Sequence, residues 1–451
     1  MSLLNSLFGW KRVDDIFTAS LCIQRMLDFE AALAFAEAES NVIPMNAANA
    51  IAAQCRAEGF DLNALAHDAV NAGNLAIPLI KQLTSLVEAT NRDAARYVHW
   101  GATSQDVIDT GLILQLRDAF DAIEVELHRL CKSTADLAGK HRATAMPART
   151  WLQQAVPTVF GLKVAGWLDA LLRHRARLHE LRDRVLVIQF GGAAGTLASL
   201  GHDGIVVAER LAKKLELGLP SLPWHSHRDR IAEVGTSLAL LTGTLGKMVR
   251  DISLMMQTEV AEAVEPAAEG RGGSSTMPHK RNPVACTAIL AAATQVPALA
   301  CTLLTAMPQE HERGVGGWHA EWETLPELVR RSAGALHRMA NLVEGLEIDS
   351  ARMRDNLELT RGLIFAEAVA FALGRHIGKP AAHKLVEAAS KKATANKKHL
   401  RQVLSEDPEF TSHCSTADLE KFFEPQNYFG VADEFINRTI AASKKLTEEQ
   451  R

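Results

Sequence analysis

An apolar stripe between residues 231 and 255 constrains the fold more than any other feature of this chain. Apolar side chains recur there at every third or fourth position without a break, at Ile231, Val234, Leu238, Leu241, Leu245, Met248, Ile252 and Met255. This spacing places them on one face of a helix of many turns, packed against its neighbours as in a coiled coil. A helix with so much apolar surface needs a bundle around it, and we expect some of its partners to come from other subunits.

The same spacing recurs elsewhere and extends the predicted bundle. Apolar residues repeat every three or four positions within 116–130, 164–188 and 329–343. Strand signals are nearly absent from the chain, so the fold class predicted is all-α. We predict three helical domains: an N-terminal domain at 1–100, a central long-helix bundle at 101–345, and a smaller C-terminal domain at 346–451.

The composition excludes several classes of function. The chain has 451 residues and a net charge of −4, so neither nucleic acid nor a membrane is expected as a partner. Its six cysteines have no paired spacing, which is typical of reduced thiols and not of disulfides or a zinc site. No stretch has the pattern of a secretory signal, and none is expected to be apolar enough for long enough to span a bilayer. We therefore expect a soluble, cytoplasmic protein.

The stretch Glu265–Pro283, EPAAEGRGGSSTMPHKRNP, carries the clearest chemical pattern. Its glycines permit a mobile loop that comes close to a ligand, and the hydroxyl groups of Ser274 and Ser275 follow them. Asn282 followed by Pro283 predicts a helix start, with the asparagine as N-cap and the proline at the first helical position. The free amides of that helix and the charge of Lys280 would then face the serines. The stretch therefore predicts an anion site beside hydroxyl groups.

A second marked stretch is HWGATSQDVIDT, which begins at His99. Thr103 and Asp106 fit the S/T-x-x-D/E pattern of a helix N-terminus. Thr103, Ser104 and Gln105 therefore either cap the helix or hold a carboxylate with their hydroxyl and amide groups. His99 is either a structural histidine or a further contact to the substrate.

Two patterns that suggest other chemistry are rejected. His225 and His227 lie in PWHSHRDR, but the additional ligands of a zinc site are missing around them, so no metal is expected. FGGAAGT at 190–196 is a glycine-rich turn, yet it is not GxGxxG and follows no predicted strand. It therefore does not predict a nucleotide site.

The run GSSTMPHKRNP at 273–283 closely resembles the signature loop of the fumarase/aspartase superfamily. The resemblance covers most of the chain and implies the three-domain helical fold of that superfamily, with a multi-helix core shared in a homotetramer. It also implies an active site assembled from three stretches that different subunits contribute. Ser274 matches the catalytic serine, which Lys280 and the loop amides would activate. Ser275 is the alternative for that role.

One position departs from the lyases of this superfamily. They typically read R-T-H-x-Q in the second stretch, where the histidine helps to protonate the leaving group. This chain reads RTWLQ from Arg149, with Trp151 at the histidine position and Gln153 retained. An amine or hydroxyl leaving group needs a proton, but a carboxylate, with a pKa of about 4, needs none. The change favours a reaction of the substrate's own carboxylate, which is lactonisation.

RTWLQ, together with ERGVGGWHAEWETLPE around Arg313, is most similar to the bacterial 3-carboxy-cis,cis-muconate cycloisomerases. That resemblance implies conversion of 3-carboxy-cis,cis-muconate to 4-carboxymuconolactone in the protocatechuate branch of β-ketoadipate catabolism. Ser274 would return a proton to carbon, no cofactor would be needed, and Trp151 would form a dry wall. The substrate carboxylates would bind to Thr103, Ser104, Gln105, Gln153, Lys280, Asn282 and Arg313.

Two other functions stay open at this point. An adenylosuccinate- or argininosuccinate-type lyase would release fumarate from a nitrogen-linked succinate, and Trp151 argues against it. A non-catalytic structural protein of the same fold, like the crystallins that resemble argininosuccinate lyase, would not need the intact set of Ser274, Lys280 and Asn282.

Overall fold

The computed structural model describes residues 5–266, 272–273, 277 and 280–449 of the chain. Helices account for most of these residues, which confirms the all-α prediction. In chain order they are α1 Asn5–Phe8, α2 Lys11–Ile16, α3 Ala19–Glu39, α4 Met45–Gln54, α5 Leu62–Ala72, α6 Ala76–Thr90, α7 Ser104–Lys140, α8 Phe160–Val185, α9 Gly204–Leu215, α10 Asp229–Met255, α11 Val284–Ala306, α12 Gly317–Glu344, α13 Ser350–Leu357, α14 Ala366–Ile377, α15 Lys379–Asn396, α16 Leu400–Ser405, α17 Pro408–His413, α18 Thr416–Phe422 and α19 Ala432–Glu449.

Four short strands form the part of the fold that the sequence analysis did not predict. β1, Ala145–Thr150, pairs antiparallel with β2, Gln153–Val159. β3, Ala263–Val264, pairs antiparallel with β4, Glu347–Ile348. Strands of two residues have no periodicity to detect, and prolines interrupt the strand pattern of the hairpin. β3 and β4 therefore become visible only when residues distant in sequence pair, whereas the hairpin is local and its prolines mask its pattern.

Contacts divide the chain into two compact units, neither of which is continuous in sequence. The first unit contains Met1–Leu127, His174–Leu245 and Ala288–His337, and the second contains His128–Arg173, Gly246–Thr287 and Arg338–Arg451. The predicted domains instead follow chain order, with boundaries at residues 100 and 345. That three-domain division stays a prediction.

The apolar stripe of the predicted bundle helix is buried. Helix α10 runs from Asp229 to Met255, and every stripe residue along it is at most 4% exposed. The stripe on α7 is buried as well, from Leu116 to Leu130. Removing this much apolar surface from water is the main force that assembles the helices.

The C-terminal part of the second unit has a hydrophobic core of its own. Buried side chains between Leu357 and Phe423 form one cluster on the short helices that follow α12. Phe365 and Phe410 are its largest fully buried members. The short helices of this part of the chain therefore pack around one apolar cluster.

Helix α11 corrects one expectation. Val284–Ala306 has 23 residues and is long and apolar enough to cross a bilayer by length and composition, so the prediction that no stretch qualifies was wrong. The core helix of a soluble protein passes the same test. Only 39% of the most apolar window of α11 is buried within the chain, however. The remaining apolar face needs another surface to cover it.

A buried guanidinium joins three segments of the first unit. Arg228, just before α10, donates from Nη1 to Oδ2 of Asp109 at 2.7 Å and from Nη2 to Oε2 of Glu321 at 2.5 Å. Asp109 lies on α7 and Glu321 on α12. The ring of Trp224 lies 4.8 Å from the guanidinium carbon, and Nε1 of Trp318 donates to Oδ1 of Asp109 at 3.0 Å. The cluster therefore ties the long helices together through charge.

The charges in this cluster depend on one another. Burial alone lowers the pKa of the Arg228 guanidinium, but Asp109 and Glu321 outweigh that effect and raise it above its ordinary value. Burial raises the pKa of the Glu321 carboxyl, and Arg228 opposes that rise. Removing one partner would leave the others buried without compensation, which costs far more than losing an exposed ion pair.

We predict that Arg228→Met destabilises the protein by roughly 3–5 kcal/mol, because Asp109 and Glu321 are then left buried and unpaired. Urea unfolding at a fixed protein concentration measures the effect. Arg184→Met is the matched control, since it removes an arginine whose ion pair with Glu233 is largely exposed, and its unfolding midpoint should stay within error of the wild type. An Arg228→Met protein with the wild-type midpoint would contradict the prediction.

Candidate active site

Helix α7 begins at Ser104, where the sequence predicted a helix N-terminus. The Thr103 amide donates to Oδ2 of Asp106 at 3.0 Å, so the capping contact comes from the aspartate. The Thr103 hydroxyl instead accepts from Nη1 of Arg313 at 3.0 Å, and Nη2 of Arg313 donates to the Ala193 carbonyl at 3.0 Å. The structure therefore brings together two predicted substrate contacts that lie 210 residues apart. Ser104 is half-buried next to them.

The carboxylate of Asp106 organises this region, a role that the sequence analysis did not assign. It is fully buried and accepts from Nε2 of His225 at 2.7 Å and from the amides of Gly191 at 3.1 Å and Gly192 at 2.9 Å. His225, considered above as a metal ligand, is thus paired with a carboxylate. Within the described residues, no group of three or more His, Cys, Asp or Glu side chains is arranged to hold a metal. The helix-start pattern was the one sequence signal for Asp106.

Gln105 is directed into the fold. Its Nε2 donates to Oδ2 of Asp109 at 3.1 Å and to the His225 carbonyl at 2.8 Å. Its side-chain oxygen is buried and has no hydrogen-bond partner among the described residues. The amide group therefore supports the buried cluster around Arg228, and its contact with a substrate carboxylate stays a prediction.

His99 forms a buried pair with helix α3. Its Nδ1 lies 2.6 Å from Oε1 of Glu30, which is itself buried. Burial alone lowers the pKa of His99, but the Glu30 carboxylate outweighs that effect and raises it above its ordinary value. An imidazolium held in this way favours the structural interpretation of His99 over a contact with the substrate.

Trp151 and Leu152 form the tip of the β1–β2 hairpin in the second unit. Thr150 pairs with Gln153, so these two residues are the whole turn. Both have positive φ, +52° and +65°, a conformation that such turns normally fill with Asn-Gly. Trp151 is 98% exposed and Leu152 is 76% exposed, so neither belongs to the core of this chain. Strain and exposed apolar surface together are typical of a functional site.

The end of β1 next to the tip is anchored by a buried carboxylate. Arg149 donates from Nη1 and Nη2 to the two oxygens of Glu262 at 2.9 and 2.6 Å. Nδ2 of Asn356 donates to the same carboxylate at 2.8 Å, and Glu262 is fully buried. The two-pronged ion pair fixes the direction in which β1 leaves the core of the second unit. Gln153 is exposed at the start of β2.

Ser274, the predicted catalytic serine, and its alternative Ser275 lie outside the described residues. Lys280 is described and exposed, and its amide donates to the Met277 carbonyl at 3.1 Å. The Asn282 amide donates to the Gly272 carbonyl at 2.9 Å, which brings the two described ends of this segment together. Like the hairpin tip, both Lys280 and Asn282 belong to the second unit, whereas Thr103 and Arg313 belong to the first.

The start of helix α11 differs from its prediction in two ways. The helix begins at Val284, and the amide of Thr287 donates to the Pro283 carbonyl, so Pro283 and not Asn282 occupies the N-cap position. The predicted free amides are also occupied, because the carboxylate of Glu265 accepts from the amides of Ala285 at 3.1 Å and Cys286 at 2.8 Å. The helix patterns in the sequence are local, so they could not reveal a cap that lies 20 residues away.

Comparisons with known proteins agree with this architecture. A family model described as lyase matches residues 11–298, and a second, described as adenylosuccinate lyase C-terminus, matches residues 362–439. The chain is similar to the 3-carboxy-cis,cis-muconate cycloisomerase of Bradyrhizobium diazoefficiens, with 57% identity over 93% of each chain. It is 54% identical to the enzyme of that name from Pseudomonas aeruginosa, over 94% of this chain and 92% of the relative.

The fold has a close counterpart among solved structures. The crystal structure of 3-carboxy-cis,cis-muconate lactonizing enzyme from Pseudomonas putida matches with a TM-score of 0.95 and 48% identity, covering 99% of both chains. Identity at this level over nearly full length shows the family as well as the fold. The chain therefore belongs to the fumarase/aspartase superfamily of lyases, in the group that contains the 3-carboxy-cis,cis-muconate cycloisomerases.

Proposed function

We propose that this chain catalyses the lactonisation of 3-carboxy-cis,cis-muconate to 4-carboxymuconolactone, a step of protocatechuate degradation through the β-ketoadipate pathway. The observation that carries the proposal is Trp151, which occupies the hairpin tip at the position where lyases of the superfamily have a histidine acid. A tryptophan cannot protonate an amine leaving group. It suits a reaction in which the group that adds or leaves is a carboxylate.

The reaction needs no redox chemistry. One carboxylate oxygen of the substrate forms a bond to a carbon of the conjugated diene, and the electron pair moves toward a second carboxylate, where it forms an enediolate. A proton is then delivered to the adjacent carbon, so the net reaction takes up one proton as one carboxylate becomes a neutral ester. We assign delivery of that proton to Ser274, with solvent restoring it. Fixed positive groups stabilise the charge that develops.

The remaining site residues are proposed to bind the carboxylates. Lys280 and Arg313 supply positive charge, and the Thr103 hydroxyl that accepts from Arg313 helps to orient it. Trp151 would exclude water from the diene, which strengthens every charge interaction beside it. The neutral polar ligands of the substrate are proposed to be Ser104, Gln105, Gln153 and Asn282. His99 would act through its pair with Glu30 rather than by touching the substrate.

We further propose that the enzyme is a cytoplasmic homotetramer whose active sites combine stretches from different subunits. A large part of the apolar surface of α11 is not covered within one chain, including Leu304. The exposed Trp151 and Leu152 have the same need for a covering surface. Further copies of this chain would bury these surfaces without a membrane.

A second candidate function is a lyase that releases fumarate from a substituted succinate. The match of residues 362–439 to the adenylosuccinate lyase C-terminus is the observation that favours it. Such a lyase needs an acid for its leaving group, and Trp151 does not supply one. We therefore rank lactonisation first.

Ser274→Ala should lower kcat by roughly 100- to 10,000-fold, the range for loss of a positioned proton donor. The assay is the loss of diene absorbance with 3-carboxy-cis,cis-muconate, and Ser275→Ala is the matched control, expected to retain activity. If the two variants exchange these results, Ser275 is the proton donor. A wild type that is inert here but releases fumarate from adenylosuccinate would replace lactonisation by the lyase function.

Replacing Trp151-Leu152 by Asn-Gly should lower kcat/KM by about tenfold or more, because the dry apolar wall is lost. The unfolding midpoint should stay unchanged or rise, because Asn-Gly adopts this turn without the cost of about 1–2 kcal/mol for a positive φ at each bulky residue. Steady-state kinetics and thermal unfolding measure the two effects, with Trp151→Phe as the control that keeps an aromatic wall. Full activity in the Asn-Gly variant would contradict the assigned role.

Light scattering after gel filtration should give the mass of four chains of 49.0 kDa each. Leu304→Arg, on the exposed face of α11, should dissociate the assembly, because a charge cannot be buried there without a partner. Val70→Arg, at an apolar position on α5 that is more exposed than Leu304 (82% against 47%), is the control and should remain tetrameric. A monomeric wild type would contradict the assembly proposal.

A further inference from the structure

The segment Glu262–Pro266 leads into the signature stretch and is fixed almost residue by residue. Glu262 holds Arg149 near the tip of the hairpin. Ala263 and Val264 form β3 and pair with β4. Pro266 packs directly on Gly345, where a Cβ atom would come within 2.6 Å of the proline ring. Glu262–Pro266 therefore forms a rigid strut before the residues that carry the predicted catalytic groups.

Glu265, which lies within this strut, contacts the residues at the other end of the signature stretch, from Arg281 to Cys286. Its side chain is only 4% exposed and caps the amides of Ala285 and Cys286. Its backbone carbonyl accepts from Nη2 of Arg281 at 2.6 Å. Arg281 in turn donates to both oxygens of Glu347 on β4, at 3.1 and 3.0 Å. One residue thus holds the segment just after Lys280 through both its side chain and its backbone.

We infer that Glu265 is a positioning residue that fixes Lys280 and Asn282 relative to the strut, and this inference rests on the proposed function of those two residues. Lys280 and Asn282 are the two neighbours of Arg281, whose Nη2 donates to the Glu265 carbonyl. A displacement of about 1 Å in a charge-stabilising group is enough to lower a rate severely. Glu265 itself faces the helix and the strut, so it acts through other residues and not on the substrate.

The negative charge of the Glu265 side chain matters as much for this cap as its shape. A carboxylate at a helix N-terminus accepts two amides at once and opposes the positive end of the helix dipole. A glutamine of the same size offers one acceptor and points a donor at the second amide. The carboxylate also occupies the amides that would otherwise attract a substrate anion. The substrate carboxylates are therefore left to side chains such as Lys280 and Asn282.

The test is Glu265→Gln, assayed with 3-carboxy-cis,cis-muconate beside the wild type. We expect kcat to fall roughly 10- to 100-fold, the factor that corresponds to a lost hydrogen bond to a charged group, with KM changing less than about threefold. The melting temperature should stay within a few degrees. Glu347→Gln is the matched control, because it removes an exposed partner of Arg281 and leaves the cap intact, so its kcat should remain near the wild type. A wild-type kcat in Glu265→Gln overturns the inference. The inference is also overturned if kcat falls only as far as a lower melting temperature accounts for, because the variant is then merely less stable.

A second readout does not depend on any substrate. Hydrogen exchange followed by mass spectrometry should show faster exchange of the first turn of α11 in Glu265→Gln than in the wild type or Glu347→Gln. Unchanged exchange there overturns the inference even if the wild type proves inert and the proposed reaction is wrong. If Glu265→Gln does not fold, Glu265→Asp serves instead. Its shorter carboxylate should reach at most one amide and give an intermediate loss in both readouts, and wild-type behaviour would overturn the inference.

Discussion

Removing a carboxylate from water is costly unless donors replace its lost hydration, and this structure uses that requirement repeatedly. Asp106, Glu262 and Glu265 are all buried, and each accepts from two or more donors. Asp106 holds the start of α7, Glu262 holds the end of β1 next to the hairpin tip, and Glu265 holds the start of α11. Three segments that carry predicted site residues are thus each held by a buried carboxylate that accepts several hydrogen bonds.

The cluster around Arg228 applies the same principle to the long helices. Its two carboxylates come from α7 and α12, and the arginine precedes α10. Apolar burial along the helices supplies most of the stabilisation but tolerates sliding, because apolar contacts have little directionality. A guanidinium between two carboxylates has fixed geometry. It therefore sets the register of helices that apolar packing alone would leave less well defined.

Two apolar surfaces, the hairpin tip and one face of α11, are not covered within a single chain. The hairpin tip presents a tryptophan and a leucine in a conformation that neither residue favours, and both are almost free of contacts with their own chain. The apolar face of α11 is also largely uncovered. Strain and uncovered apolar surface persist in a protein when something else depends on them. The association of several copies of this chain that we propose would account for both.

The sequence by itself determined the long helices, the all-α class and the stretches that carry the chemistry, because helical periodicity and a run such as GSSTMPHKRNP are local patterns. The sequence also showed Trp151 at the position where lyases of the superfamily have a histidine, and this change indicated lactonisation before any geometry was known. Only the tertiary structure decided which donors fill each buried carboxylate, since the partners of Asp106 and Glu262 lie 119 and 113 residues away. The same holds for the cap of α11: the local pattern favoured Asn282, but the amides of the first turn donate to the carboxylate of Glu265, which follows β3. Local propensity predicts where a helix starts, whereas long-range contacts decide which groups accept hydrogen bonds from its free amides.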